Sequence, residues 1–436
     1  MKKNGFIMST YVYILLVFFL LLLGTMLVVL NNTRLLANKI KENTDGNIDF
    51  NLVLKGDKEI FIVKDSEYIE PGCIATTFDG EKLEVRVMGE VNAKKSGEYD
   101  IEYSAEYKGV EKKVKRKVIV GENLVTYITN LYEDSITRAS NNLKKDNTED
   151  KNIRYYGANP NNYVRFNNEL WRIIGIFGNN VKLIRNDRLG WLSWDTSEST
   201  VNSGYGINQW GESKDTSGNI YEGADLQVYL TKMYYGGIEV TCYNDLNNTK
   251  TTCPKDSNGN FLELDDVAKN LIDNHTWNIG AMRYISRTNT LTFYQAERGS
   301  VHGKSSCSSG NQCNDTIIRT TEWTGYVGLP YVTDWAYASS ESVCETNMAT
   351  QDSSNNYICK NNNWMQKSIL AWYLLPVTTS SGACYAWYVN KTGDPAGNYT
   401  YGLGGVIPAV YLKSDVFVTG GLGTSDNPYK LWLSEN

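Results

Sequence analysis

The chain of 436 residues holds two histidines, so a Ser-His-Asp triad would have to use His275 or His302. Neither lies in a recognisable motif, and there is no Gly-x-Ser-x-Gly elbow to expose a nucleophile. Both histidines therefore read as surface or internally satisfied residues. Gly303-Lys304-Ser305-Ser306 has the ending of a phosphate loop, but the glycine needed five residues earlier is Arg298. Asp256, Asn258 and Asn260 sit at the first ligand spacings of a calcium loop, yet Phe261 and Val267 stand where Gly and Glu are required. A plain turn is the expectation there. Glu297, Glu322 and Asp334 could supply the two carboxyl groups of a glycosidase, which must lie about 5 to 10 Å apart in space. Sequence does not fix that distance, and the three read as solvated or structural acids. Trp364, Trp372 and Trp387, with Tyr373, Tyr385 and Tyr388, could stack on a glycan, against the commoner role of such rings as core. The set predicts no catalytic residue, no metal site and no cofactor, with Trp364, Trp372 and Trp387 as candidate ligand-stacking residues.

Cysteine spacing carries more information. Six of the eight cysteines form three close pairs, Cys242 with Cys253, Cys307 with Cys313, and Cys344 with Cys359. None belongs to a C-x-x-C and no histidine stands near them at zinc-ligand spacing. Local disulfides in an oxidising compartment are the expectation, with the connectivity open. Cys73 and Cys384 are left over and read as small buried residues.

The elements that position these residues begin with an apolar stretch. No charge occurs from Asn4 to Thr33, and at roughly 1.5 Å per residue the segment 7–30 exceeds a hydrocarbon core of about 30 Å. The run is longer than a secretory signal's apolar region, and Leu35-Leu36-Ala37 is a poor cleavage site. It is read as a single transmembrane helix, with residues 1–6 inside the cell and the bulk outside, where disulfides persist. The net charge of −6 gives no basic footprint for nucleic acid.

Residues 31–49 read as a stalk. Alternation with period two then appears at Leu83 to Val87, Tyr99 to Ala105 and Val114 to Val120, punctuated by Pro71-Gly72, Asp79-Gly80, Ser96-Gly97 and Lys108-Gly109. Residues 50–121 are thus expected to form an all-β sandwich. Residues 122–152 read as a linker with a helix. From 153 to 436 the chain predicts an α+β head: hairpins joined by Asn-Asn and Gly-Asn-Asn, helical stretches at GADLQVYLTKMYY and ELDDVAKNLIDNHTWNIG with Asp265 or Asp266 as a cap, then short glycine-punctuated strands.

Four resemblances rest on these residues. Pro71-Gly72, Gly97, Tyr99, Ile101, Tyr103 and Ala105 fall on the pattern of the bacterial Ig-like domain found in pesticidal crystal proteins and many surface proteins, with Cys73 where the family has a small residue. That resemblance implies a spacer or adhesion module without catalytic residues. Phrases such as NNYVRFNNELWRIIGI, TTEWTGYVGLPYVTDWAYA and GVIPAVYLKS resemble a domain of unnamed function in membrane-anchored surface proteins of Gram-positive bacteria. The finish of this domain is also distantly similar to the formylglycine-generating-enzyme branch of the C-type-lectin-like fold. Such oxidation needs two nearby cysteines close to the C-terminus, and only Cys384 follows Cys359. Finally, Lys2-Lys3-Asn4-Gly5 before Phe6 resembles a prepilin leader, which would be cut between Gly5 and Phe6. Pilins keep a glutamate at the fifth mature position, an expensive group in lipid retained for assembly; here that position is Thr10, which leaves a minor or tip subunit as the pilin reading.

Together these features predict a membrane-anchored surface protein of a Gram-positive bacterium, with a non-catalytic adhesion head on an Ig-like spacer. Its partner would be an extracellular glycan or protein, with pilus or other envelope subunits as the alternative. An extracellular enzyme of unknown reaction is the third reading.

Overall fold

Turn residues in the left-handed region set the strand order. Lys108 and Gly109, with φ of 48° and 83°, close a tight hairpin between Gly97–Tyr107 and Val110–Asn123, because two successive positive φ values match the twist of the strands they join. Asn167 and Asn168, at 54° and 57°, do the same between Tyr163–Phe166 and Glu169–Phe177. The computed structural model describes residues 17–30, 32–33, 49–196, 208–215, 217–244, 249–280, 289–299, 317–318, 320–367, 371–377 and 385–433. It divides into two units, Met1–Ile119 and Val120–Asn436.

In the first unit Phe50–Leu54, Cys73–Thr77 and Lys82–Leu83 form one antiparallel sheet, and Arg86–Met88 pairs with Gly97–Tyr107. Inward residues at alternate positions, Ile101, Tyr103 and Val118, build its core. Arg116 follows the same alternation and is wholly buried. It is held by Glu70, Tyr103 and the carbonyls of Asp57 and Lys55, so its charge is compensated at the site.

The second unit is built on a sheet ordered Val327–Gly328, Ala409–Tyr411, Asn180–Arg185, Glu169–Phe177, Tyr163–Phe166, Tyr429–Leu433, Val416–Gly420. Its middle strands, Glu169–Phe177 and Asn180–Arg185, are buried over nearly their whole length. Ile153–Tyr155 crosses beside Glu169–Phe177 at a bulge, where a Cβ on Gly175 would stand 2.3 Å from the Ile153 carbonyl oxygen. A second sheet runs Trp191–Ser193, Leu403–Gly405, Trp372–Val377, Tyr385–Val389, Pro395–Tyr399. Two disulfides stitch its loops, Cys242 to Cys253 and Cys344 to Cys359. Cys307, Cys313 and Cys384 lie outside the described residues, as do His302, the 303–306 stretch and the Gly5 to Phe6 junction.

Two expectations are corrected. Among the described residues no helix is long and apolar enough to cross a membrane. The transmembrane helix over 7–30 is therefore not supported, nor is the single-pass anchoring built on it. The second unit is mostly β-sheet rather than α+β. Its longest described helices, Leu124–Glu133 and Thr290–Gly299, have 10 residues each, and Asp266–Leu271, capped by Asp265, one of the two aspartates the sequence offered, has 6. Residues 122–152, read as a linker with a helix, hold the helix Leu124–Glu133, and Leu124, Ile128 and Leu143 belong to the second unit's core.

Candidate functional site

The strand Trp191–Ser193 places Leu192 inward, 2% exposed, and leaves Trp191 half-buried. Across the sheet Trp191 is in register with Gly405, and Gly405 is in register with Trp372 on the next strand. Residues opposite one another in a sheet share a face, so two tryptophans flank a position that has no side chain. Neighbouring strands are about 4.8 Å apart, which sets the two tryptophan Cα atoms roughly 10 Å apart over a glycine floor. A Cβ at Gly405 would stand 3.3 Å from the Trp372 Cβ.

The rim of this cleft is held in place before any ligand arrives. Arg185 grips Glu169 through Nε at 2.8 Å and through a second N–H, and donates Nη1 to the carbonyls of Asp187 and Arg188 at 2.8 and 2.9 Å. The loop after Arg185 is thereby fixed, and the Arg188 guanidinium lies 5.1 Å from the Trp191 ring centre. Lys367 Nζ donates to the Asn186 carbonyl at 2.9 Å. Gln366 accepts from Trp335 Nε1 at 3.0 Å and donates to the Asn390 carbonyl at 3.1 Å. The cavity so enclosed is about 280 Å³, lined by Asp187, Arg188, Trp191, Lys367, Trp372 and Gly405 among others. Burial, with the charge of Arg172 nearby, pushes Lys367 down to about 8, opposed by Asp187. Arg172 itself is pushed down to about 10 by burial.

A second polar cluster lies inside the unit. Lys182 Nζ is 2.7 Å from Asp334 Oδ2, and Arg154 bridges Asp334 Oδ1 at 2.8 Å and Asp146 Oδ2 at 2.6 Å, all four side chains enclosed. Glu297 accepts from the Thr333 hydroxyl at 2.7 Å and from Arg298 Nη1 at 3.1 Å. Burial pushes Glu297 up to about 7 and Lys182 down to about 8, while the adjacent cations hold Asp334 below the usual carboxylate range against the effect of burial. Glu297 and Asp334 are therefore brought together as members of an enclosed ionic network, whereas Glu322 is exposed on the strand Glu322–Gly325.

Of the expected stacking residues, Trp372 alone lies at the cleft, with its side chain only 2% exposed, so Trp191 is the ring open to a ligand. Trp364 is core: its Nε1 donates to the Tyr155 carbonyl at 2.9 Å, and Arg172 lies 4.5 Å from its ring centre. Trp387 is fully buried against Phe293 at 5.0 Å. Tyr373 is buried and donates to the Gly402 carbonyl, and Tyr385 stacks on Tyr399 at 4.6 Å. Trp191, Arg188 and Lys367 are absent from the candidates drawn from sequence. The usable signal was Leu192 and Trp194, both apolar at alternate positions, which turn Trp191 to the opposite face. His275 stacks on Tyr411 at 3.7 Å and meets Asp273 Oδ2 at 3.1 Å. Asp256 is used by its own turn, accepting from the backbone N–H of Asn258 and Asn260 at 2.8 and 2.9 Å.

Comparison with known proteins bears on the first unit. Residues 52–120 match the family model described as bacterial surface protein, Ig-like domain. No curated protein matches the chain. Among solved structures, the lipoprotein BT2262 from Bacteroides thetaiotaomicron is 31% identical over 17% of this chain and 39% of its own, with a TM-score of 0.16. The CBM51-2 and INT domains of ZmpB from Clostridium perfringens are 12% identical over 39% of this chain and 38% of theirs, with a TM-score of 0.14. The chain thus spans about two fifths of each of these solved chains, at TM-scores too low to support any inference about the second unit. The family match ends at residue 120 and does not reach the segments that carry the C-type-lectin-like and prepilin resemblances. Residues 52–120 are thus similar to the Ig-like domain carried by bacterial surface proteins.

Proposed function

We propose that the chain is a binding protein of the bacterial surface, in which the Ig-like domain serves as a spacer and the second unit holds an extracellular glycan in the cleft between Trp191 and Trp372. The observation that carries this reading is the register Trp191, Gly405, Trp372 across three strands. An indole face packs against the C–H face of a sugar, and the absence of a side chain at Gly405 lowers the floor of the cleft above the paired strands. Because the walls are strands and the rim is pinned by Arg185, little ordering is left to oppose binding. The Ig-like family of residues 52–120 supports display at the surface. The reading assigns no reaction to the cleft.

The test is binding of the full chain to an array of bacterial and host glycans, beside Trp191→Ala. Retention on a subset of glycans, lost by about tenfold or more in the variant, is the expected result. Equal binding by both proteins, or no glycan retained by either, would remove the cleft from the proposal.

A further inference from the structure

The charges around the cleft do not balance. Arg188 and Lys367 line it, the buried charge of Arg172 is near enough to act on Lys367, and Asp187 is the acid that lines it. This concentration of positive charge stands in a chain whose net charge is −6. Arg172 is 4% exposed, and its guanidinium is met by neutral oxygens, Asn162 Oδ1 at 2.8 Å and the Pro160 carbonyl at 3.4 Å, and by the rings of Tyr163 and Trp364 at 4.2 and 4.5 Å. Neither Lys367 nor Arg188 has an ion pair within 4 Å among the described residues. Lys367 donates one hydrogen bond, to a backbone carbonyl. The neighbouring Arg185, by contrast, is neutralised by Glu169.

A half-buried ammonium beside a buried guanidinium is unfavourable until an anion joins them. Its depressed affinity for a proton is the cost of that placement, and a bound carboxylate would reverse it. Arg188 supplies a planar fork of donors suited to a carboxylate, and Lys367, whose Nζ lies at the Asn186 carbonyl of the same loop, supplies a point charge. The volume of about 280 Å³ suits one sugar ring with its substituents. We propose that the cleft selects a sugar carrying a carboxylate, of the uronic or sialic type, with the ring against Trp191 and the carboxylate between Lys367 and Arg188. This inference rests on the glycan-binding reading and narrows its ligand class.

The experiment is titration calorimetry of the full chain with methyl glucuronide and with methyl glucoside, at low and at raised salt, using the native protein, Lys367→Gln, Arg188→Gln and Trp191→Ala. The expected result is affinity for the glucuronide at least about tenfold above the glucoside, falling with salt. Lys367→Gln and Arg188→Gln should each erase most of that preference, lowering affinity for the glucuronide several-fold more than for the glucoside, and Trp191→Ala should weaken both sugars. Arg188 is exposed, so its variant reports on the ligand even where Lys367→Gln disturbs folding. Equal affinity for the two sugars, unaffected by either charge variant, overturns the acidic preference and leaves glycan binding standing. Binding of both sugars that Trp191→Ala does not weaken overturns the proposed site itself.

Discussion

Lys182 and Asp334 meet at 2.7 Å with neither side chain exposed to solvent. The pair is closed on all sides: the Lys182 Nζ lies 3.7 Å from the centre of the Tyr331 ring, and Asp334 also accepts from Arg154 and from the Tyr331 backbone N–H at 2.9 Å. Asp334 therefore ties two strands, Ile153–Tyr155 and Asn180–Arg185, to the helix Val332–Tyr337 that it caps.

Removing that carboxylate leaves two buried cations without their shared partner. Asp334→Ala should destabilise the second unit by about 3 to 5 kcal/mol, the range for breaking one side of a buried pair. Urea denaturation followed by tryptophan fluorescence measures it. A loss below about 1 kcal/mol would show the network to be incidental to the fold.

Glu297 gives a pH signature. Its carboxyl is held near 7 in the folded chain against an ordinary 4.5, so the folded state keeps its proton where the unfolded state has lost it. The stability from this group is complete below about pH 4.5 and is lost as pH rises towards 7. Glu297→Gln, which fixes the neutral form, should therefore gain stability relative to the native protein at pH 8 and not at pH 4, by an amount on the order of 2 to 3 kcal/mol. Denaturation midpoints at the two pH values decide it; a variant penalty that is constant with pH contradicts the assignment.

The bond between Cys344 and Cys359 spans a separation of 15 residues and restricts the unfolded chain by about 3 kcal/mol in the loop-entropy view. Cys344→Ser should lower stability by roughly that amount, and added reductant should produce no further loss at this site. Peptide mapping under non-reducing conditions checks the pairing directly, together with that of Cys242 and Cys253.

Gly405 tests the floor of the cleft. Its φ is not in the left-handed region, and an added Cβ meets Trp372 Cβ at 3.3 Å and the Ala371 carbonyl oxygen at 3.4 Å. Gly405→Ala should cost about 1 kcal/mol or less in stability, since a neighbour must give by a few tenths of an ångström. Gly405→Leu fills the space between the tryptophans and should weaken glycan binding by about tenfold or more. Equal glycan binding by Gly405→Leu and the native chain would place the ligand elsewhere.

Local patterns carried much of the strand structure. Alternation located the strands of the Ig-like domain, and Asn167-Asn168 and Lys108-Gly109 marked hairpins because few residues tolerate positive φ. Asp265 announced a helix start through its short acceptor side chain, and the close cysteine pairs announced two disulfides. The helical stretches were overextended because an apolar period persists in sequence after tertiary contacts have ended the helix, as at Leu271.

The cleft was decided by tertiary structure. Trp191, Trp372 and Gly405 are distant in sequence, and their alignment arises from strand register, which depends on pairings across the whole second unit. Equally, nothing local distinguishes Lys367 and Arg188 from ordinary surface cations or Glu297 and Asp334 from ordinary acids. Their roles follow from which charges become neighbours and how much water is removed from them, and those quantities exist only once the chain has packed. The sequence by itself determined the strands of the first unit, the local turns and the cysteine pairs, because these depend on residues within a few positions of one another. Tertiary structure alone decided the ligand cleft and the buried ionic network, because both depend on distances between residues that the chain does not hold together.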